Sequence, residues 1–186
     1  LSLELTVALH PTTLDLYLYK FDRTLGFQAS QIFGLVAQVI PGLHTVLLTC
    51  YSWLPIAVPI FFAIQIARRT TAPANIILVQ VLSAIVALTL FQFFPATGPK
   101  YAFGGLYPHS LPPAQDLAAT WIGVYPAPRN AMPSLHMTWA LLLAMTGRTM
   151  GPRWFAVGLV FCALTVFATL GLAEHYLVDL IAAVPF

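Results

Sequence analysis

Charge is what this sequence has least of. Asp, Glu, Lys and Arg make up 8% of its 186 residues, where an ordinary soluble domain carries roughly 25%. Eight Lys and Arg and six Asp and Glu cannot wet the surface of a 20.3 kDa sphere, and a mean hydropathy of +0.84 puts apolar side chains where water would be. A soluble globule is thereby excluded, and the natural solvent is lipid. The few cations form no block that could track a phosphate backbone, so no nucleic acid partner is expected. Cysteine is scarce too. Cys50 and Cys162 lie inside apolar runs, read as small buried hydrophobes, and do not report a redox compartment. There is no internal repeat and no low-complexity tract. No basic n-region with a cleavage site opens the chain, so no signal peptide is expected.

What is present is long apolar runs. Residues 43–67, 75–94, 131–146 and 154–172 are each free of Asp, Glu, Lys and Arg or nearly continuous in apolar character, and roughly 20 helical residues span a bilayer core. The expected fold is all-α, a polytopic transmembrane bundle of about five or six helices forming one membrane-embedded domain over residues 1–186. Pro55 and Pro59 inside the first run should kink that helix rather than end it. Residues 1–19, interrupted by Glu4, His10, Pro11 and Asp15, read as a partial or interfacial helix. From His175 onward the chain reads as the first turns of a further crossing, cut short, and the sequence is expected to be an excerpt of a longer protein.

Cations orient the bundle, because Lys and Arg in short loops are held on the cytoplasmic side. Arg68 and Arg69 lie between the first two runs, Arg148 and Arg153 between the last two, and an even number of crossings separates the turns. Both are therefore assigned to the cytoplasm. Residues 95–130 and 171–179 fall on the other, extracytoplasmic face, and Lys100 and Arg129 with them, where cations are depleted. The Pro-rich segment between, with Tyr101, Tyr107, Trp121 and seven prolines, reads as a stiff, packed cap.

Two constellations carry chemistry. His175 and Asp179 stand four residues apart, so on a helix they share a face, and a carboxylate on one ring nitrogen makes the other a better nucleophile or base. The same spacing suits a metal pair or a proton relay. Pro133-Ser134-Leu135-His136 is the second: a proline preorganised for the first helical turn, and a Ser hydroxyl beside free backbone N–H groups, which together make an anion site or a plain helix cap. Two crossings separate His136 from His175, so both imidazoles return to one face, with Asp179, Lys100 and Arg129. Cations and N–H groups for oxygens, a nucleophile and an acid for the leaving group are what phosphoryl transfer needs.

Ala131-Met132-Pro133-Ser134-Leu135-His136, followed by His175-Tyr176-Leu177-Val178-Asp179, resembles the second and third signature motifs of the type 2 phosphatidic acid phosphatase superfamily. The Met-Pro-Ser-Leu-His form is closest to its inositol phosphorylceramide synthase, or aureobasidin-resistance, branch. Phe94-Pro95-Ala96-Thr97-Gly98-Pro99-Lys100-Tyr101 stands where that branch carries its Pro-rich first motif. The resemblance covers about residues 94–179. It implies that His175 attacks phosphorus to form a phosphohistidine, that Asp179 orients it, and that His136 protonates the departing oxygen. Ser134 and the N–H groups from Leu135 onward would hold phosphate oxygens. It further implies a metal-independent lipid phosphotransferase or phosphatase without cofactor, acting on a phospholipid or lipid phosphate, with a lipid alcohol as acceptor in the transferase case and a site facing the periplasm or lumen. The classical phosphatases carry Ser-Arg seven and six residues before the last His, where this chain has Ala168 and Thr169. Lys100 and Arg129 are the cations left to clamp phosphate in its place.

Rival classes are a membrane transporter or proton relay using His136, His175 and Asp179, and a metal-dependent hydrolase with the same three as ligands. His10, His44 and His109 read as interfacial or satisfied polar residues, Phe91, Phe93 and Phe94 as packing between helices, Asp116 as a solvated loop residue, and residues 19–23 as an interfacial anchor. Glu174 either tunes His175 or caps a helix start.

Overall fold

The computed structural model describes residues 2–68, 75–104, 107–110, 122–123 and 127–186. Its elements in chain order are α1 (Ser2–Leu9), β1 (Thr12–Thr13), α2 (Asp15–Thr24), α3 (Ala29–Val39), α4 (Leu43–Ala67), α5 (Ile76–Phe93), α6 (Pro99–Ala102), β2 (Ile122–Gly123), α7 (Leu135–Met150), α8 (Pro152–Gly171) and α9 (Leu177–Ala182). The architecture is an all-α bundle, with one two-stranded antiparallel pair joining Thr12 to Gly123 and Thr13 to Ile122. Arg69, Pro112, Pro113, Asp116, Trp121 and Pro126, which entered the reading of the cytoplasmic turn and of the cap, lie outside the described residues.

Among the described residues, three helices, α4, α5 and α8, are long and apolar enough to cross a membrane. The fourth expected span is shorter and starts later. α7 begins at Leu135 rather than 131 because the Ser134 hydroxyl caps it, accepting the Met137 N–H at 3.3 Å, and its 16 residues rise about 24 Å. α4 runs through both prolines. Pro59 has no N–H for the carbonyl four residues earlier, so the Pro55 oxygen is freed; the Gln80 amide of α5 donates to it at 3.4 Å. A second polar link joins α5 to α7, where the Trp139 indole donates to Ser83 at 3.1 Å.

α7 and α8 form a tight antiparallel hairpin through glycine. A Cβ at Gly158 would sit 2.5 Å from the Ala144 Cα, and one at Gly147 would strike the Trp154 carbonyl, so the two backbones approach as only small residues allow. Around this hairpin a core of Leu54, Val58, Phe61, Ile76, Ala140 and Leu143 ties in α4 and α5. The turn between α7 and α8 meets the end of α4, where the Arg68 guanidinium stands 5.6 Å over the Trp154 ring. Both basic turns therefore share one end of the bundle. The opposite end holds the starts of α4 and α7 and the ends of α5 and α8.

The amino-terminal third departs from the expected single interfacial helix. His10 and Pro11 divide it into α1 and α2, since the residue before proline is pushed out of helical geometry. α3 was not anticipated; at 11 residues it is too short to span, and it packs on α8 and on Pro108 through Gly34.

Candidate active site

At the end remote from the basic turns, three stretches are laced together by main-chain hydrogen bonds. Ala131 N–H donates to the Ala96 carbonyl at 2.9 Å, Lys100 N–H to Ala173 at 3.0 Å, and Ser134 N–H to Asp179 at 3.2 Å. Gly98, at φ 95°, supplies a left-handed turn at the point where a Cβ would collide with the Glu174 carbonyl. The segments carrying Lys100, Ser134 and His175 thus lie backbone against backbone.

After α8 the chain reverses at Ala173, whose φ is 55°. The Thr169 carbonyl takes the N–H groups of both Glu174 and His175, at 3.0 and 3.3 Å. His175 therefore precedes α9 instead of sharing a helical face with Asp179, which corrects the expected arrangement; α9 itself is six residues, beginning at Leu177. The pair still meets. Asp179 occupies the third position of α9 and accepts the Tyr176 N–H at 2.8 Å in a capping box. The same Oδ2 lies 3.4 Å from His175 Nδ1. Burial pushes the Asp179 carboxyl up to about 6, and the His175 ring pulls against that rise. With Nδ1 turned to the carboxylate, Nε2 points the other way and stands 3.2 Å from Ser134 Oγ.

His136, the second residue of α7, stacks on Tyr51 of α4 with centroids 3.7 Å apart and planes at 17°. Its ring centroid is 6.3 Å from that of His175, which leaves room for a phosphorus centre between them. Leu135 starts α7, where first-turn N–H groups have no carbonyl within the helix to bond. Both line a cavity of about 420 Å³ together with His175, Asn130, Tyr101 and Glu174 on its polar side. Its other wall is apolar: Ala84, Leu88 and Phe91, spaced along one face of α5, and Leu3 of α1.

The two expected clamp cations are placed differently. Lys100 is outside the lining, but its two partners belong to it: Lys100 is ion-paired with Glu174 and 4.7 Å over the Tyr101 ring; burial works to lower its pKa, but Glu174 wins and raises it. Arg129 is 1% exposed and outside the cavity lining. Its Nε donates to the His10 carbonyl at 3.0 Å and its Nη1 to the Ala127 carbonyl. Ala168 and Thr169 are buried, the Thr169 hydroxyl donating back to Thr165 at 2.8 Å. Among the described residues no group of three His, Cys, Asp or Glu side chains is placed to hold a metal ion.

Two buried carboxylates beside the candidate site escape sequence reasoning. Asp15 and Asp22, seven apart on α2 and both fully buried, reach opposite sides of the site. Asp15 accepts the Thr97 and Gly98 N–H groups, the latter at 2.9 Å, and the Thr97 hydroxyl at 3.1 Å. Asp22 takes the first N–H groups of α9, Leu177 at 2.7 Å and Val178 at 3.0 Å, where the helix presents its positive end. Burial pushes both carboxyls up from their ordinary range, and these donors pull them back. The one available signal is the spacing itself: two acids two turns apart on a face otherwise made of Leu18 and Tyr19.

Compared with known families, residues 16–186 match a family model described as the PAP2 superfamily. No curated protein and no solved structure matches the chain.

Proposed function

The chain belongs to the PAP2 superfamily, and from that premise we propose that it is a membrane lipid phosphotransferase of the inositol phosphorylceramide synthase type. It moves a phospho-headgroup from a phospholipid to a lipid alcohol through a phosphohistidine, without metal. The observation that carries the reading is the orientation of His175: Nδ1 on buried Asp179, Nε2 toward the Ser134 cap and the cavity. In the first step Nε2 attacks phosphorus, the phosphorus–oxygen bond to the leaving alcohol breaks, and His136 gives that oxygen its proton. In the second the acceptor hydroxyl returns a proton to His136 and its oxygen displaces His175. Ser134 and the N–H groups of Leu135 and His136 stabilise the oxygens meanwhile, with Lys100 next in sequence to the lining residue Tyr101. Asp179 holds the ring and its tautomer throughout.

A cavity half polar and half apolar suits an amphiphile, whose headgroup meets the histidines while its chain lies along α5. The basic turns at the far end support an extracytoplasmic site, because Arg68, Arg148 and Arg153 belong on the cytoplasmic side. Hydrolysis of a lipid phosphate is the same chemistry with water as acceptor.

Incubation with phospholipids labelled at phosphorus, with and without a lipid alcohol, separates the two: label goes to a new lipid in transfer, and in hydrolysis to the aqueous phase, as the phospho-headgroup from a diester or as free phosphate from a lipid phosphate. His175→Ala is expected to lower turnover by about 10³-fold or more with the protein still monodisperse in detergent, and EDTA to leave wild-type turnover unchanged. Full activity in His175→Ala overturns the reading.

A further inference from the structure

A site for phosphate is expected to show its ligand positive charge. Of the described residues lining this cavity, the one Asp, Glu, Lys or Arg is an acid, Glu174. Its carboxylate side chain is 16% exposed and lies next in sequence to His175. Lys100, next in sequence to the lining residue Tyr101, is held by that carboxylate. The pairing is built into the backbone: Lys100 N–H bonds the Ala173 carbonyl at 3.0 Å, and Gly98 gives up a side chain so that its turn can press on the Glu174 carbonyl. Lys100 also lies 4.7 Å over the Tyr101 ring, itself part of the lining. The two backbones are thus fixed side by side.

Such a pair has no net charge, and this alters which phosphate the cavity rewards. A bare lysine attracts a doubly charged phosphate more than a singly charged one. A lysine already matched by a carboxylate gives the second negative charge nothing, while the carboxylate repels it at short range in a poorly screened site. A phosphomonoester carries about −1.5 to −2 at neutral pH; a phosphodiester carries one charge at any physiological pH.

We propose that Glu174 is the specificity-determining residue of this site: by holding Lys100 it selects singly charged phosphodiesters over doubly charged phosphomonoesters. The proposal rests on the phosphoryl-transfer reading for its biological sense, and the selection favours headgroup donors over lipid monophosphates. Discrimination here works by an attraction withheld and a repulsion added, not by a new contact to the favoured substrate.

Small soluble probes test it without turnover. Dissociation constants for inorganic phosphate and for dimethyl phosphate are measured by ³¹P line broadening at about pH 8, where the first is doubly and the second singly charged. The proteins are the wild type, Glu174→Gln, Lys100→Gln and the double variant, in detergent. Glu174→Gln is expected to tighten inorganic phosphate about tenfold and dimethyl phosphate less than about threefold. Lys100→Gln is expected to weaken both, inorganic phosphate more. The double variant, neutral like the native pair, should return toward the wild-type ratio, which a loss of structure in either single variant would not produce. An unchanged ratio in Glu174→Gln, weaker phosphate binding there, or no binding of either probe to any of the four proteins overturns the proposal. If instead the binding ratios shift as expected while His175→Ala remains fully active, the charge selection stands and the catalytic reading falls.

Discussion

The α7–α8 hairpin is held in two different ways at its two ends. Toward the turn, main chain presses on main chain: Gly158 against Ala144, Gly147 against Trp154, with Arg68 of α4 laid over the Trp154 ring. At the open end the apolar clusters of Leu170 with Leu180 and of Tyr19 with Tyr176 and Val178 are joined by buried carboxylates. There Asp22 grips the start of α9, Asp15 grips the Thr97–Gly98 turn, and Asp179 grips Tyr176. Close packing serves both ends, and the second adds buried carboxylates that accept backbone N–H groups. The difference follows from what each has to do: the turn end fixes a distance between helices, and the open end fixes the direction in which a nitrogen points.

Substitutions at each end should break this contrast. The largest effect is expected from Gly158→Leu, which drives a side chain into the Ala144 backbone; overpacking costs about 3 kcal/mol here, seen as loss of the folded form in thermal unfolding in detergent. A Gly158 variant of wild-type stability would show that the helices have room to part. Asp22→Ala comes next, at about 2 kcal/mol, because a buried and a part-buried N–H group lose their acceptor; turnover is expected to fall more than tenfold while KM stays near wild type. Asp22→Asn keeps one acceptor oxygen and should recover part of both losses. Equal kcat in all three proteins would mean that the start of α9 does not position His175. Arg68→Gln is the smallest, about 0.5 kcal/mol for a half-wet cation over an indole, with turnover unchanged; a large drop in activity would link the two ends that the structure keeps separate.

The all-α bundle was legible in the sequence, and so was the gathering of the candidate residues at one end of it. His136, His175, Asp179 and Ser134 could be brought to one face by counting crossings, since in a bilayer each long apolar run reverses the chain's side. Spans 43–67 and 75–94 needed only length and hydropathy. Helix boundaries were less accessible: α7 begins four residues late because Ser134 caps it, and His175 lies outside α9 because the chain must first turn at Ala173. α3 is too short for a span criterion and too apolar to look like a loop. Asp15 and Asp22 were hidden for a different reason. Their partners are 82 and 155 residues away, and no local pattern announces a hydrogen bond across such a distance. Arg129 was read by its charge and its place on the cation-poor face; its bonds to the His10 and Ala127 carbonyls could not be read there, for His10 is far away in sequence.

The amide of Gln80 on the Pro55 carbonyl has a consequence for the height at which the cavity is built. Greasy helix faces slide past one another in lipid at little cost, for one methyl resembles the next. A bare carbonyl does not slide, because in hydrocarbon it has no other donor to find and its exposure costs several kcal/mol. The proline pair in α4 thus acts as a notch and Gln80 as the tooth that fits it. Moving α5 by a single turn would disengage them and would carry Ala84, Leu88 and Phe91 about 5.4 Å up or down past the histidines. One side-chain amide, well away from the reacting atoms, keeps the greasy wall level with the chemistry.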